Sequence, residues 1–136
     1  MKRDKNLRNL SSDHHNALAL VRKIHRAVSE NNDVSVLVDH LKTVFANELS
    51  PHFDIEERAI LPELTRTGEH SLVRKTLDDH ASLRRLIKQL DKPGNLIVFA
   101  DTLKAHVRFE EQELFEVCQK VLDTTAMAAI GRACKH

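Results

Sequence analysis

The sequence predicts an all-α protein, a four-helix bundle whose helices run up, down, up and down in antiparallel order. Glycine and proline number only three each among 136 residues, which disfavours a β fold rich in tight turns. Apolar residues recur at spacings of three and four along four long segments, and short breaker sequences separate those segments. A single domain over residues 1–136 is long enough to bury a core without disulfides or a structural metal.

The first helix is predicted from about Ser11 or Ser12, either of which can cap its N-terminus, to about Glu30. The apolar positions along one stripe of this helix are Leu18, Val21, Ile24 and Val28. An Asn-Asn-Asp sequence at residues 31–33 is expected to stop this helix and to cap the next one.

The second helix is predicted from Val34 to about Leu64. Its inward positions are expected at Leu37, Leu41, Phe45, Leu49, Phe53 and Ile60. Pro51 lies inside this segment and lacks a backbone N–H, so we expect it to kink the helix just before His52. Gly68 is expected to end the segment.

The third and fourth helices are separated by the strongest turn sequence in the chain, Lys-Pro-Gly at residues 92–94. The third is predicted from about His70 to Leu90, and the fourth from about Asn95 to Leu122. Inward positions of the third helix are expected at Val73, Leu77, His80, Leu83 or Arg84, Ile87 and Leu90. Those of the fourth helix are expected at Leu96, Phe99, Leu103, His106, Glu110, Leu114, Val117 and Val121.

Composition excludes several functional classes. The 21 Lys and Arg residues balance 20 Asp and Glu residues without a basic block, so neither a nucleic-acid nor a membrane partner is predicted. No apolar run approaches the roughly 18 residues of a membrane span, and the N-terminus lacks the apolar core of a signal peptide, so a cytoplasmic location is predicted. Cys118 and Cys134 are expected to be free thiols. A short tail helix could follow over residues 126–134.

The same polar pattern interrupts two of the predicted apolar stripes. The second helix carries His52 and Glu56, and the fourth carries His106 and Glu110, each pair being four residues apart. Residues four apart share one face of a helix. Burying an imidazole and a carboxylate on that face is costly unless a partner satisfies both, and a bound cation does so. The pattern therefore predicts a metal site.

Depth along the bundle predicts which histidines meet. If the turns lie near residues 32, 67 and 93, neighbouring helices can be compared by distance from the turn at about 1.5 Å per residue. The histidines that agree to within about 3 Å, one from each helix, are His14, His52, His80 and His106. The others, which lie near turns or at the end of the chain and are expected outside the site, are His25, His40, His70 and His136.

The first helix offers two adjacent candidates, His14 and His15. His14 shares its stripe with Leu18, whereas a stripe through His15 would pass through Arg22 and Arg26. His14 is therefore the favoured metal ligand, with His15 expected at the helix edge or behind the ligands. Both residues stay candidates on the sequence alone.

The residues around these candidates are predicted to have supporting roles. Glu57 and Glu111 point about 100° away from the candidate carboxylates beside them, so we expect them in solvent or holding a ligand imidazole in place. Arg84 is expected on an exposed helix face. Cys118 lies about 18 Å along the helix from His106, which is too far to bind the same metal.

Four segments of the chain, DHHNAL, HFDIEERAILPEL, DDHASLRRL and HVRFEEQELF, resemble the successive motifs of hemerythrin-like HHE cation-binding domains. They occur in the family's order over about residues 10–120. The resemblance implies a four-helix bundle with a non-haem di-iron centre, in which an oxo or hydroxo bridge joins two iron ions. The ligands it implies are His14, His52, Glu56, His80, His106 and Glu110, with the two glutamates bridging the irons.

Two positions depart from the oxygen-carrying hemerythrins. On the third helix, carriers have two histidines in an HxxxH pattern. This chain has His80 at the second of these positions and Thr76 at the first. Carriers also have an HxxxxD pattern on the fourth helix, where this chain has HxxxE. Both differences argue against reversible O2 carriage, because fewer nitrogen ligands leave more positions open for water, peroxide, O2 or nitric oxide. The pattern resembles bacterial members linked to iron handling and to oxygen or nitric oxide response.

The predicted function is a non-haem di-iron protein that binds or senses O2, nitric oxide or a related small ligand, or that handles iron. The same histidine and glutamate side chains would also accept zinc or manganese. A helical interaction module, whose histidines are merely hydrogen-bonded, is the alternative without metal. The sequence shows no nucleophile with an adjacent base, so any catalysis would have to be metal-centred redox chemistry.

Overall fold

The computed structural model describes residues 2–135, which form helices and short connections with no β-strand. The five helices are α1 (Arg8–Ser29), α2 (residues 35–66), α3 (His70–Leu86), α4 (residues 95–121) and α5 (Thr124–Ala133). A 3-10 turn, Ile87–Gln89, extends α3. The predicted all-α class is confirmed, and the tail helix is present as α5.

Helices α2 and α4 contain π turns, which are wider turns with backbone hydrogen bonds that span five residues. In α2 the π turns are Phe45–Leu49 and Glu56–Ile60, and in α4 the π turn is Glu110–Leu114. Pro51 follows the first π turn, and helical structure continues through it. The widened turn changes the backbone path at the point where the proline ring would otherwise meet the carbonyl four residues earlier.

The helix ends follow the predicted turns, except at the start of α1. Gly68 and Gly94 have left-handed φ angles of +89° and +82°, which glycine adopts without the strain that a side chain would bring. The predicted cap at residues 11–12 is wrong, because α1 begins at Arg8 with no side-chain cap. Leu10 is buried in the core, so packing extends the helix one turn toward the N-terminus.

Two apolar clusters fill the interior, and buried polar residues lie between them. In α1, Leu10 belongs to one cluster and Ala17 to the other, and His14 lies between the two in sequence. In α4, Glu110 likewise lies between members of the two clusters. The core is therefore divided by a layer of ionisable side chains.

Three positions expected to face inward are exposed, namely Val28, Leu77 and Val121. Thr76 is buried in place of Leu77. Around the helix, Thr76 points within about 20° of buried Leu83, whereas Leu77 points about 100° away from Thr76. Val28 and Val121 lie in the last turns of α1 and α4, at the ends of the packed region.

The helix contacts bring the layer of ionisable residues together. α1 and α3 both pack against α4, the last part of α2 packs against α3, and α5 packs against the second π turn of α2. Among the described residues, no helix is both long and apolar enough to cross a membrane. The assignment of residues 1–136 to one domain stays a prediction.

Candidate metal centre

Six ionisable side chains are buried together between the two apolar clusters. They are His14 of α1, His52 and Glu56 of α2, His80 of α3, and His106 and Glu110 of α4. None of them is more than 5% exposed. Each of the four long helices therefore contributes one of the histidines expected in the layer.

The six side chains form two overlapping groups that could each hold a metal ion. The first metal group is His14, His52, Glu56 and Glu110, and the second metal group is Glu56, His80, His106 and Glu110. Within each group, one ligand atom from every residue lies within 4.8 Å of the others. Both groups contain the same two glutamates, so a carboxylate is available to each group from both α2 and α4.

Glu110 is the carboxylate that reaches all four imidazoles. Its oxygens lie 2.8, 3.1, 3.6 and 3.9 Å from the Nε2 atoms of His14, His106, His52 and His80, respectively. Glu56 reaches two of these nitrogens, that of His52 at 3.0 Å and that of His80 at 2.9 Å. Glu110 therefore links the two metal groups more extensively than Glu56 does.

A second set of acids, the outer carboxylates, contacts the opposite nitrogen of each imidazole. The pairs are His14 with Glu111 (2.6 Å), His52 with Asp13 (2.9 Å), His80 with Glu57 (2.7 Å) and His106 with Asp79 (2.9 Å). In each pair the Nδ1–H donates to the carboxylate, so Nε2 of the same ring faces the metal groups, where loss of its proton would free a lone pair for a metal ion. The outer carboxylates thus orient all four imidazoles.

The outer carboxylates also link the four long helices in a closed cycle. An acid from each helix holds the histidine of the next, from α1 to α2, α2 to α3, α3 to α4, and α4 back to α1. Each outer carboxylate directly adjoins one of the six buried residues in an Asp-His or Glu-Glu dipeptide. Because adjacent helical residues point about 100° apart, one member faces the site and the other reaches the neighbouring helix.

Sequence reasoning identified half of this cycle. Of the two roles expected for Glu57 and Glu111, the contacts support the orienting one, since each accepts a hydrogen bond from a buried imidazole. Asp13 and Asp79 were missed, although they have the same role. The signal that could have revealed them is the Asp-His dipeptide, which places a carboxylate beside a buried histidine on two helices.

Three of the outer carboxylates are held from outside by a cation. Arg84 contacts Glu57 at 2.7 Å, Lys75 contacts Asp79 at 3.1 Å, and Arg3 contacts Glu111 at 3.3 Å. Burial alone would raise the pKa of these three carboxyl groups, but the imidazoles and cations beside them lower it. The expectation that Arg84 lies on an ordinary exposed face is therefore wrong, because its guanidinium joins α3 to α2.

Two phenylalanine rings stack on the imidazoles. The ring centroid of Phe53 lies 4.0 Å from that of His80, and the two planes are 16° apart. The centroid of Phe115 lies 5.4 Å from that of His14, with the planes 12° apart. Both phenylalanines are buried, so they keep water from these imidazoles and restrict their rotation.

Several polar atoms of the site lie within ion-pair distance of one another but make no well-oriented hydrogen bond among the described residues. They are Nε2 of His52, His80 and His106, both carboxylate oxygens of Glu56, and Oε2 of Glu110. An unpartnered buried polar atom costs about 1–3 kcal/mol. Metal ions would satisfy these atoms together, and imidazole nitrogen with carboxylate oxygen is a donor set that suits iron, zinc and manganese. The residues therefore fit a bound metal.

In the absence of an ion, the glutamates favour protonated imidazoles. Burial alone would lower the pKa of His80 and His106, but the carboxylates of Glu110 and its neighbours outweigh burial and raise these values to about 9 and about 10. Burial opposes ionisation of Glu110 too, yet His106 and the other imidazoles hold its pKa well below the usual range. Metal binding must therefore displace protons from the imidazoles.

We expect the metal-free chain to lose stability as the pH rises from about 7 to about 10. The pKa values of His80 and His106 are raised from 6.5 to about 9 and about 10. Their charged contacts therefore stabilise the fold fully below pH 6.5 and are lost as the pH rises through the folded values. Thermal unfolding at several pH values measures this, with a midpoint expected to fall by several degrees.

The metal-loaded protein is the control for this pH series, because metal-bound imidazoles no longer take up protons at Nε2. Its unfolding midpoint is expected to hold or rise between pH 7 and pH 10. A midpoint of the metal-free chain that rises over the same interval would contradict the raised histidine pKa values.

Comparison with known proteins relates this geometry to a family. Residues 6–118 match the sequence profile described as Hemerythrin HHE cation binding domain. The chain belongs to the hemerythrin HHE cation-binding domain family. Searches of curated proteins and of solved structures returned no match. The residues of both metal groups and all four outer carboxylates of this HHE domain lie inside the matched region, whereas Arg3 lies before it.

The remaining histidines of the HHE domain do not enter the metal groups. His15 is exposed, so the structure brings His14 and not His15 to the site. The other exposed histidines outside both groups are His25, His40 and His70. His25 pairs instead with Asp101 at 2.9 Å. His136 lies outside the described residues.

Two further buried residues of the HHE domain lie near the metal groups in sequence. Thr76 lies four residues before His80, and its hydroxyl donates to the carbonyl of Leu72 at 2.8 Å. Cys118 is buried and belongs to neither metal group. Burial, together with the charges of Glu56 and Glu110, raises the pKa of its thiol to about 12, so Cys118 is uncharged at neutral pH.

His14→Ala is expected to lower the metal content of the HHE domain by about one ion per chain, while His15→Ala leaves it unchanged. His14 places Nε2 in the first metal group, whereas His15 is exposed. Metal analysis of the purified variants measures the difference, with His25→Ala and His40→Ala as controls from other turns. Loss of metal in His15→Ala but not in His14→Ala would reverse the assignment for α1.

Proposed function

We propose that this chain is a non-haem di-iron protein, with one iron ion in each metal group. The observation that carries the proposal is that the two groups overlap in two carboxylates, Glu56 and Glu110. A carboxylate has two oxygens and can bind a cation with each. The proposed ligands are His14, His52, Glu56, His80, His106 and Glu110. The four long helices are proposed to form the antiparallel up-down-up-down bundle predicted from the sequence.

We further propose that the protein binds or senses O2, nitric oxide or peroxide, or that it handles iron. Iron ions held here would supply open coordination positions for such a ligand, because the two groups offer four imidazoles where oxygen carriers offer five. Thr76 supports this proposal, since its hydroxyl is bonded to the carbonyl of Leu72 and adds no nitrogen to the site.

The side chains of the protein have three tasks in this function. The outer carboxylates hold a proton on each Nδ1, so the Nε2 lone pairs face the metal groups. Phe53 and Phe115 cover the imidazoles and exclude water. Glu56 and Glu110 supply negative charge to both groups, which favours cations over neutral molecules at the centre. The cytoplasmic location predicted from the sequence stays a prediction.

Metal analysis tests the proposal directly. Protein purified without a histidine tag from iron-supplemented cells is expected to contain about two iron ions per chain. Zinc or manganese in place of iron would replace the di-iron assignment, since both accept the same ligands. A chain without metal, whose thermal unfolding is unchanged by a chelator, would instead be a helical interaction module.

The small ligand is tested by the optical spectrum of the iron-loaded protein. We expect its absorption to change on exposure of the reduced protein to O2 or to nitric oxide, and the zinc-loaded protein serves as a spectroscopically silent control. An iron-loaded protein with two ions and no response to either gas would exclude the ligand-binding role and leave iron handling.

A further inference from the structure

The residues before α1 lie against α4 at the outer edge of the first metal group. Nη2 of Arg3 donates to the backbone carbonyl of Glu111 at 3.0 Å and to its carboxylate at 3.3 Å. Nη1 of Arg3 donates to Glu116 and to Gln119, each at 3.1 Å. One arginine therefore joins three side chains of α4, and one of them is the outer carboxylate that holds His14.

Arg3 is also linked to His14 through the ring of Phe115. The guanidinium carbon of Arg3 lies 5.5 Å from the centroid of the Phe115 ring, and the same ring stacks on His14. A cation over the face of an aromatic ring is attracted to it. Both the acceptor of the Nδ1–H of His14 and the ring that covers this imidazole are therefore held by Arg3.

The segment that carries Arg3, residues 2–7, is named the N-terminal strap. Its far end is fixed by Leu7, which is fully buried. Gln119 holds the near end, since its carbonyl oxygen accepts from the N–H of Asp4 at 2.9 Å and its amide donates to the carbonyl of Lys2 at 3.0 Å. The strap is therefore attached to α4 by side-chain and backbone hydrogen bonds.

In the second metal group, the outer carboxylates are held by residues of the helices themselves. The outer carboxylate of His80 is Glu57, which is held by Arg84, and all three residues lie within α2 or α3. Residues 2–7 lie outside the helices, and such segments open more readily than packed helices. The two metal groups have equivalent ligands but differ in what holds their outer carboxylates. Arg3 also lies before residues 6–118, so the strap contact is additional to the matched domain.

We propose that Arg3 is a positioning residue for His14, and that opening of the N-terminal strap governs metal release from the first metal group. The inference rests on the proposed function, because it requires a metal ion in that group. When the strap detaches, Glu111 loses its cation and Phe115 loses its outer contact. His14 then gains rotational freedom, and its Nε2 leaves the metal more often. The second group, whose outer carboxylates are held by residues of packed helices, releases its ion later.

Release kinetics test the proposal. The protein is loaded with Fe2+ without oxygen and mixed with excess ferrous chelator, whose coloured complex reports released iron. Arg3→Gln is expected to speed release of the first ion about 3- to 10-fold, since residues that hold metal ligands typically change affinity 10- to 100-fold and Arg3 lies one contact further out. Gln119→Ala, which frees the strap and leaves Glu111 in place, is expected to act in the same direction.

Two matched variants control for charge and for the arginine side chain. Arg3→Lys keeps the positive charge but lacks the planar fork with which Arg3 makes four hydrogen bonds to α4, so its release rate is expected between those of wild type and Arg3→Gln. Arg8→Gln removes an exposed arginine of α1 and is expected to release iron at the wild-type rate. Circular dichroism checks that every variant keeps its helical content.

Histidine side-chain NMR of the Zn2+-loaded protein identifies which imidazole is affected. In Arg3→Gln, the Nδ1–H of His14 is expected to exchange with water at least about threefold faster, while that of His80 keeps its rate. In Arg84→Gln, the Nδ1–H of His80 is expected to exchange faster, while that of His14 keeps its rate. Wild-type exchange at His14 in Arg3→Gln, or equal acceleration at both histidines, would overturn the positioning role.

The outcomes separate this inference from the proposed function. A wild-type chain that binds no metal overturns both. A wild-type chain that binds two ions, with Arg3→Gln and Gln119→Ala releasing the first ion at the wild-type rate, overturns the role of the strap and leaves the proposed function standing.

Discussion

Glu110→Gln is expected to reduce the metal content of both metal groups to less than about a tenth of the wild-type value. The substitution keeps the size of the side chain but removes the negative charge that lies within 4 Å of all four imidazole Nε2 atoms. A neutral amide is also a weaker ligand for divalent metals than a carboxylate. Because both groups share Glu110, one substitution affects both. Metal analysis of the purified variant measures the loss.

Glu56→Gln and Glu113→Gln are the comparisons for this result. Glu56 reaches two of the four imidazoles, so a smaller loss is expected. Glu113 is exposed in the same π turn as Glu110, and its variant is expected to keep the wild-type metal content. Metal-free Glu110→Gln is expected to stay helical, because buried imidazoles that lose the charge of Glu110 give up their protons more readily. Wild-type metal content in Glu110→Gln would refute the shared role of this carboxylate.

Removal of metal is expected to lower the thermal unfolding midpoint of the wild-type protein by about 10 °C or more. An ion that binds only the folded chain stabilises it by about 4 kcal/mol when its concentration is 1,000 times Kd. Each kcal/mol shifts the midpoint of a domain of this size by roughly 2–6 °C. Removal also exposes the cost of the unpartnered atoms at the centre. Circular dichroism with and without a chelator, followed by re-addition of Fe2+, measures the shift.

The Glu110→Gln variant controls for effects of the chelator itself. Its midpoint is expected to be the same with and without chelator, because it holds little metal to lose. If wild-type protein loses its metal and keeps its midpoint, the metal groups contribute nothing to folding stability and the prediction fails.

The helices could be predicted because periodicity and turn residues are local properties of a sequence. Gly68 and Gly94 have the left-handed backbone that their turns require. The start of α1 and the inward face of α3 could not be predicted in the same way, because packing decides both. Leu10 extends α1 by its burial, and the position of Leu83 in the core selects Thr76 over Leu77.

The buried site could be predicted because the constant rise of a helix converts spacing in sequence into depth. The same reasoning favoured His14 over His15, since Leu18 lies on the stripe of His14. Contacts between helices depend also on how each helix is rotated against its neighbour, which spacing does not give. The contact of Asp13 with His52 could therefore not be predicted from spacing. Arg3 precedes the first helix, so helical periodicity gives no information about its contacts.

The π turn of α4 determines which residues of the helix face the core on either side of it. The buried positions Phe99, Leu103, His106, Glu110, Leu114 and Cys118 span 19 residues in five steps, whereas five turns of regular α-helix take about 18. The wider turn takes up the additional residue and keeps the buried stripe in phase on both sides of Glu110. If Glu110–Leu114 adopted regular α-helix with no residue removed, everything beyond this turn would be rotated by about 100°. Leu114 and Cys118 would then rotate out of their apolar cluster, so the wider turn at Glu110 is what lets one face of α4 pack into both apolar clusters.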